Sequence, residues 1–121
     1  MNSIIRINKD GSGQQGLEPC SVVPPEAVLS GTAKESGEFL YSTDNGAFSV
    51  GVWECTPYAE ILDYPTENEY CMVLKGKVSL TNPDGSIETF SAGDSYVVPA
   101  GFKGKFEVHE TLRKIYVIYS N

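Results

Sequence analysis

The pattern that most constrains this chain runs from Glu38 onward, where short runs of β-branched and aromatic residues alternate with turn residues. Two of the turns, 43–46 (Thr-Asp-Asn-Gly) and 82–85 (Asn-Pro-Asp-Gly), place residues that tolerate positive φ where a hairpin must reverse. Short strands at such spacing are typical of sandwiches and barrels. Only Pro24 to Leu29 suits a short helical turn, so the sequence predicts an all-β protein.

The alternation allows the strands to be placed. They are expected near 38–42, 47–55, 58–63, 69–74, 77–82, 86–90, 95–98, 104–109 and 113–119. The segment 8–25 is polar and rich in Gly, Gln, Ser and Pro, which predicts an extended arm or irregular loop around its own barrel or a neighbour. The sequence therefore divides into an N-terminal arm with the first strand region, 1–37, and a barrel domain, 38–121.

Composition narrows the classes of partner. The chain has 121 residues, enough for one domain, with 16 acidic and 9 basic residues and a net charge of -7. That charge repels phosphate backbones and anionic lipids, so neither nucleic acid nor membrane is an expected partner. No apolar run approaches the roughly 20 residues of a membrane-spanning helix. The three cysteines are an odd number and Met1 to Arg6 carries no long apolar stretch, so we expect free thiols in a cytoplasmic protein.

Five residues carry a resemblance to the cupin family. Glu69 and Gly76 match the second half of the first cupin motif, and Gly93, Pro99 and Gly101 match the start of the second. The resemblance implies a cupin-type β-barrel, also called a double-stranded β-helix or jelly roll, with an extended N-terminal arm. Independently of the family, the glycines suit sharp strand ends, and proline enters only an edge or a strand terminus.

The wider context is similar to the cupin subgroup that contains ureidoglycine aminohydrolase and the ethanolamine-utilisation cupins. The similarity spans roughly 46–119 and includes 51–54 (Gly-Val-Trp-Glu), 76–81 and 113–116 (Arg-Lys-Ile-Tyr). It implies the fold more strongly than the activity, because one fold hosts many chemistries.

The resemblance also locates the metal site of the family, and this chain departs from it. Metal-binding cupins hold one divalent ion with three imidazoles and one carboxylate, donors that suit manganese, iron, nickel or zinc. The family spacing puts Leu62 and Tyr64 at the histidine pair and Gly104 at the third histidine. Only Glu69 remains of the four ligands. We therefore predict no resident cofactor, with Glu69 as the only metal ligand carried over.

A different metal site is the alternative. Period-two alternation puts Glu67, Glu69 and Cys71 on one face of a strand and Tyr70 and Met72 on the other. If Glu69 points inward, the three could form part of a carboxylate-thiolate zinc site. Zinc wants about four donors, however, and no close cysteine pair anchors it. The simpler interpretation of Cys71 is a small buried hydrophobe.

Acidic and aromatic residues alternate in the segment expected at one mouth of the barrel. Clustered carboxylates in a desolvated pocket raise one another's pKa or attract a cation, and an aromatic wall holds an amine by its π face. The alternative is that Glu60 and Glu67 are solvated loop residues and only Glu69 lies inside. The predicted ligand-binding set is Tyr58, Glu60, Tyr64, Glu67, Glu69, Cys71 and Phe106.

The single histidine, His109, is predicted to face outward. Alternate residues of a strand face the same side, and on this strand Phe106 and Val108 are expected to face inward. His109 then faces outward, which favours an exposed or hydrogen-bonded surface histidine over a catalytic base.

These observations lead to three hypotheses. The first is a cupin that binds a small polar, amine- or ureide-like metabolite in a pocket with a degenerate metal site. The second is an enzyme resembling ureidoglycine aminohydrolase or the ethanolamine-utilisation cupins, with Glu69 as general base and with or without a divalent metal. The third is a dimerising module, and a homodimer is expected in any case.

Overall fold

The structure is a computed structural model that describes residues 2–120. Met1 and Asn121, the outermost residues of the two predicted ranges, lie outside the described residues. The elements in chain order are β1 Glu18–Cys20, a 3-10 turn Pro25–Ala27, β2 Val28–Gly31, β3 Glu35–Ser42, β4 Phe48–Cys55, β5 Tyr58–Tyr64, β6 Glu67–Thr81, β7 Ile87–Ser91, β8 Ser95–Val98 and β9 Phe102–Ser120. Strands dominate, as the alternation predicts, and the helical turn falls within the predicted 24–29.

The strands form one curled sheet whose two walls share β6 and β9, which are long enough to serve both. One wall contains β2, β5, the first part of β9, the second part of β6, and β7. The other contains β1, β3, β4, the second part of β9, the first part of β6, and β8. This curled all-β arrangement confirms the predicted cupin-type barrel.

Gly76 bends the β6–β9 pair where the chain passes between the walls. Its φ is +91°, and a Cβ there would collide with the Thr111 carbonyl oxygen. The pairing register shifts around this point, between Val73 and Val78. The sequence predicts separate strands on either side of Gly76 and of 110–112, whereas β6 and β9 run through both places, because the glycine bends the strand without ending it.

Both predicted hairpin turns are confirmed. The Gly46 amide donates to the Thr43 carbonyl at 2.9 Å, and the Gly85 amide donates to the Asn82 carbonyl at 2.9 Å. These turns connect β3 to β4 and β6 to β7.

The N-terminal segment lies on its own barrel. The Gly13 amide donates to Glu38 Oε1 at 2.7 Å, and Arg113 Nη1 donates to the Asp10 carbonyl at 3.0 Å. Further along, β1 pairs with β3 and β2 pairs with β5, so the segment adds an edge strand to each wall. The sequence predicts neither strand, because this segment has no apolar alternation and its pairing depends on the barrel.

The core lies between the walls. Cys55, Val73, Val78 and Leu112 are almost fully buried there, together with the aromatic ring of Phe106. Within residues 2–120, none of the helical structure could cross a membrane.

Candidate functional site

Two hollows border the barrel wall that contains Trp53. The first, which we call the arm groove, has a volume of about 660 Å³ and lies between the N-terminal segment and β3. The second, the mouth cavity, has a volume of about 740 Å³ and opens between β5, the start of β6 and the segment 22–29. Buried charged side chains, Glu60, Glu69 and Lys114, line the mouth cavity, so it is the candidate site.

Glu69 and Lys114 form a buried ion pair. Glu69 lies on β6 and Lys114 on β9, and Nζ is 3.3 Å from Glu69 Oε2 with side-chain exposures of 7% for the lysine and 4% for the glutamate. Tyr64 Oη donates to the other carboxylate oxygen, Oε1, at 2.9 Å. Both oxygens of Glu69 are thus engaged, and its predicted inward orientation is confirmed.

Two aromatic rings enclose the ammonium group of Lys114. Nζ lies 5.2 Å from the centre of the Trp53 ring and 5.2 Å from that of Phe106, within the range of a cation–π contact. Burial alone would lower the pKa of Lys114, but the ionised carboxylate of Glu69 opposes this effect, and the net shift raises the pKa well above 10.5. The barrel therefore holds a permanent positive charge.

Glu60 is the second buried carboxyl group of the cavity. It lies on β5 and accepts a short hydrogen bond from Tyr58 Oη through Oε2. Burial raises the pKa of Glu60 above its ordinary value, and the Tyr58 hydrogen bond and the charge of Lys114 only partly oppose the shift. The alternative that Glu60 is a solvated loop residue is therefore wrong.

Most of the other predicted ligand-binding residues line the mouth cavity, whereas Cys71 is enclosed in the barrel. Glu67 is half-buried and lines the mouth cavity, as do Tyr58, Tyr64 and Phe106. Cys71 is fully buried on the same face of β6 as Glu69, where burial raises the pKa of its thiol to about 12. A neutral, enclosed thiol is the small buried hydrophobe that the simpler interpretation describes.

The residues do not fit the family's metal ion. Leu62 and Gly104, which stand at histidine positions, are paired neighbours on β5 and β9. A Cβ at Gly104 would collide with the Thr81 carbonyl oxygen, so the backbone there leaves no room for an imidazole. Glu69 is bonded to an ammonium group, and within residues 2–120 no three His, Cys, Asp or Glu side chains converge on a metal-sized space.

His109 lies outside the site. It is exposed on β9, and its Nε2 is 2.8 Å from Ser79 Oγ. Phe106 and Val108 are buried, so the predicted parity of this strand is confirmed, and so is the surface position of the histidine.

Sequence reasoning missed Lys114, the cation at the centre of the site. The alternation of side chains along β9 could have indicated it, because Leu112 and Lys114 both face inward and Tyr116 lines the cavity on the same side. A lysine among inward-facing apolar residues needs an oppositely charged partner, and the inward-facing Glu69 was the candidate for that partner. Sequence reasoning also missed Tyr96, whose buried hydroxyl has no hydrogen-bond partner among the described residues.

The barrel of two facing walls and the inward-facing Glu69 agree with the cupin resemblance of the sequence. The family model of the EutQ-like cupin domain matches residues 42–116 of the chain. The chain belongs to this EutQ-like cupin family. This confirms the cupin resemblance and its ethanolamine-utilisation branch, whereas the likeness to ureidoglycine aminohydrolase stays a prediction.

Solved structures give the same fold. A Pseudomonas syringae protein of the DUF861 family, of unknown function, is 26% identical with a TM-score of 0.77 over 84% of this chain and 43% of its own. The Clostridium difficile EutQ protein is 23% identical with a TM-score of 0.63 over 74% of this chain and 64% of its own. The chain thus spans less than two thirds of either relative.

A shorter stretch is more similar in sequence. A DUF861 family protein from Thermotoga maritima is 35% identical over 54% of this chain and 73% of its own, with a TM-score of 0.50. No curated protein matches the chain.

Proposed function

We propose that the mouth cavity binds a small polar metabolite, and that a ureide or amide group of this ligand contacts Lys114 and Glu60. The observation that carries the proposal is the set of buried charges on the cavity wall: Glu60, Glu69 and Lys114 all line one opening of about 740 Å³. Small-molecule pockets commonly measure about 300–1,000 Å³ and combine apolar walls with a few oriented polar groups.

The position of Lys114 favours a ureide or amide over a simple amine. The faces of Trp53 and Phe106 already hold the ammonium group of Lys114. A second cation beside it would be repelled. A planar ureide or amide instead carries a carbonyl oxygen, which accepts from Lys114, next to N–H groups, which donate to a carboxylate such as Glu60.

Ligand binding can be tested through the only tryptophan of the chain, Trp53, because its ring contacts Lys114. Tryptophan fluorescence and melting temperature are recorded with N-methylurea, acetamide, ethylammonium chloride, sodium acetate and glucose at millimolar concentrations. We expect N-methylurea and acetamide to raise the melting temperature, since a ligand that binds only the folded state stabilises it. The absence of a shift with both N-methylurea and acetamide would reject the proposal.

A matched pair of variants locates the binding. Glu60→Gln changes a wall residue of the cavity, whereas Lys105→Met changes an outer residue of β9 that pairs with Glu107 at 3.2 Å. We expect Glu60→Gln to weaken the binding of N-methylurea and Lys105→Met to leave it unchanged. Equal weakening by both would contradict a site in the mouth cavity.

The second candidate is an enzyme, and one observation favours it. Burial raises the pKa of Glu60, which is the direction in which a carboxyl group is tuned when it serves as a general acid or base. Glu60 takes this role in place of Glu69, whose two oxygens are bonded to Tyr64 and Lys114. If a substrate is found, Glu60→Gln is expected to remove the acid or base limb of the pH profile, and an unchanged profile would exclude Glu60.

We also propose a homodimer in a reducing compartment. Phe39 is 80% exposed on β3, and Tyr41 and Phe48 are exposed beside it, which makes an apolar surface that a second copy would cover. The free thiols Cys20 and Cys55 support a cytoplasmic location. Light scattering that gives a monomer mass would reject the dimer, and cell fractionation tests the compartment.

A further inference from the structure

Lys114 is a buried cation whose surroundings are all arranged for positive charge. Its ammonium group is 3.3 Å from Glu69 Oε2 and lies 5.2 Å from the ring centres of Trp53 and Phe106. A second carboxyl group, that of Glu60, lines the same cavity. Burying an unpaired charge is costly, so a carboxylate in this position requires a cation.

In a metal-binding cupin, a divalent ion would supply that cation. Here none of the three positions that would complete the metal site supplies an imidazole. Leu62 has no lone pair to donate, Gly104 has no space for a side chain, and the Tyr64 hydroxyl donates its hydrogen bond to Glu69. A metal ion bound to Glu69 would lie close to the Lys114 ammonium group, which is 3.3 Å from Oε2, and two cations at such a distance repel each other. The lysine and the metal are therefore alternatives for one position.

The ammonium group of Lys114 also has N–H donors left for a ligand. A lysine ammonium has three N–H donors, and within residues 2–120 Lys114 Nζ makes one hydrogen bond, to Glu69. The side chain lines the mouth cavity, so the remaining donors can meet a ligand. A hard cation with open coordination positions would contact a ligand through the same kind of atom, an oxygen.

We propose that Lys114 is a fixed replacement for a metal ion: its ammonium group holds the cation position beside Glu69 and donates its remaining N–H bonds to an oxygen atom of the ligand. The first half of this statement is independent of the ligand. The second half rests on the proposed function. The protein would then bind its ligand without a metal, and its cation could not be removed by chelation.

The first test empties the cation position. Lys114→Ala leaves a space between two aromatic rings beside a carboxylate, and ethylammonium matches the end of the missing side chain. We expect ethylammonium chloride to raise the melting temperature of Lys114→Ala by about 4–6 °C at ten times its dissociation constant, relative to equal sodium chloride. Wild type and the control Lys105→Ala are expected to show no such rise. An equal response of all three proteins would overturn the proposal.

Lys114→Arg is made beside Lys114→Ala, so that the test still decides if the alanine variant does not fold. Arginine keeps the charge, so we expect this variant to fold and its melting temperature to stay unchanged when ethylammonium chloride is added. If Lys114→Ala stays unfolded while Lys114→Arg folds, the need for positive charge is supported. If both stay unfolded, packing and not charge is what position 114 requires, and the proposal is rejected.

A second test concerns metal in the wild-type protein. Protein grown with manganese, iron, nickel and zinc is measured by elemental analysis, and its binding of N-methylurea is compared with and without EDTA. We expect less than one tenth of an equivalent of metal and unchanged binding with EDTA, whereas a protein that depends on its metal is destabilised by a chelator. A stoichiometric metal would overturn the replacement.

The two proposals fail in different ways. If wild type binds no ureide or amide while ethylammonium stabilises Lys114→Ala, the proposed function is wrong and the metal replacement stands. If wild type binds N-methylurea and Lys114→Ala binds it equally well, the cavity binds ligand but Lys114 does not hold its oxygen.

Discussion

Replacing Lys114 with methionine removes the charge and keeps a long apolar side chain. In the folded variant, Glu69 would remain 3% exposed with no cation beside it. Removing one partner of a buried ion pair costs about 3–5 kcal/mol, because the other charge is left uncompensated. Two cation–π contacts, about 0.5–2 kcal/mol each, are lost at the same time, so we expect the upper part of that range.

Urea denaturation at pH 7 measures this cost, followed by the fluorescence of Trp53. With an m value of roughly 1.5 kcal/mol/M, the expected loss lowers the midpoint by about 3 M. Lys105→Met, the same substitution on the outer face of β9, is the control and is expected to change the free energy of unfolding by less than about 0.5 kcal/mol.

A double variant separates charge from packing. Lys114→Met with Glu69→Gln has no unpaired charge, so we expect it to be more stable than Lys114→Met alone by about 1–3 kcal/mol. The reasoning would be refuted if Lys114→Met cost less than about 1 kcal/mol, or if the double variant were no more stable than the single one.

Three further predictions follow from single residues. Burial raises the pKa of Glu60 above 4.5, so the folded protein binds this proton more tightly than the unfolded chain does, and wild-type stability falls as the pH rises from about 4.5 through the raised pKa. Glu60→Gln cannot titrate, so we expect it to gain stability relative to wild type over that pH range, measured by urea denaturation. Parallel curves for the two proteins would contradict the shift. Gly76→Ala is expected to lower the free energy of unfolding by at least about 2 kcal/mol, because a Cβ at this positive φ would also collide with Thr111. Gly85→Ala, where φ is +92° and the space is open, should lower it clearly less. Equal losses would contradict the close approach at Gly76. His109→Ala should lower the free energy of unfolding by no more than about 1 kcal/mol and leave the binding of N-methylurea unchanged, and lost binding would place His109 in the site.

The fold was largely predictable because it follows from local patterns. Alternation and two hairpin turns located the strands from β3 onward, and the turn hydrogen bonds at Gly46 and Gly85 confirm the reversals. The edge strands β1 and β2 were not predictable. Their pairing depends on β3 and β5, and their own residues are exposed and show no period.

The candidate site was predictable in part. Parity on β6 placed Glu69 and Cys71 inside and Tyr70 and Met72 outside, because a strand alternates strictly. Parity does not show which buried charges meet across the barrel. Glu69 and Lys114 are 45 residues apart, and their contact depends on the pairing of β6 with β9.

The same limit explains the change in the expected ligand. From the sequence, carboxylates among tyrosines suit a ligand that is either amine-like or ureide-like. In the structure, the cation of this cavity is part of the chain, so Glu69 is already neutralised and the open donors belong to Lys114. The ureide is now preferred to the amine because one long-range contact adds a positive charge to the cavity wall.

The most direct measurement of the central claim is a crystal structure of the wild-type protein grown and crystallised with manganese or zinc, with anomalous scattering data collected at the metal edge. The account predicts Lys114 Nζ within hydrogen-bonding distance of Glu69 and no anomalous peak in the mouth cavity. A metal ion bound to Glu69, with Lys114 turned away from it, would contradict the account.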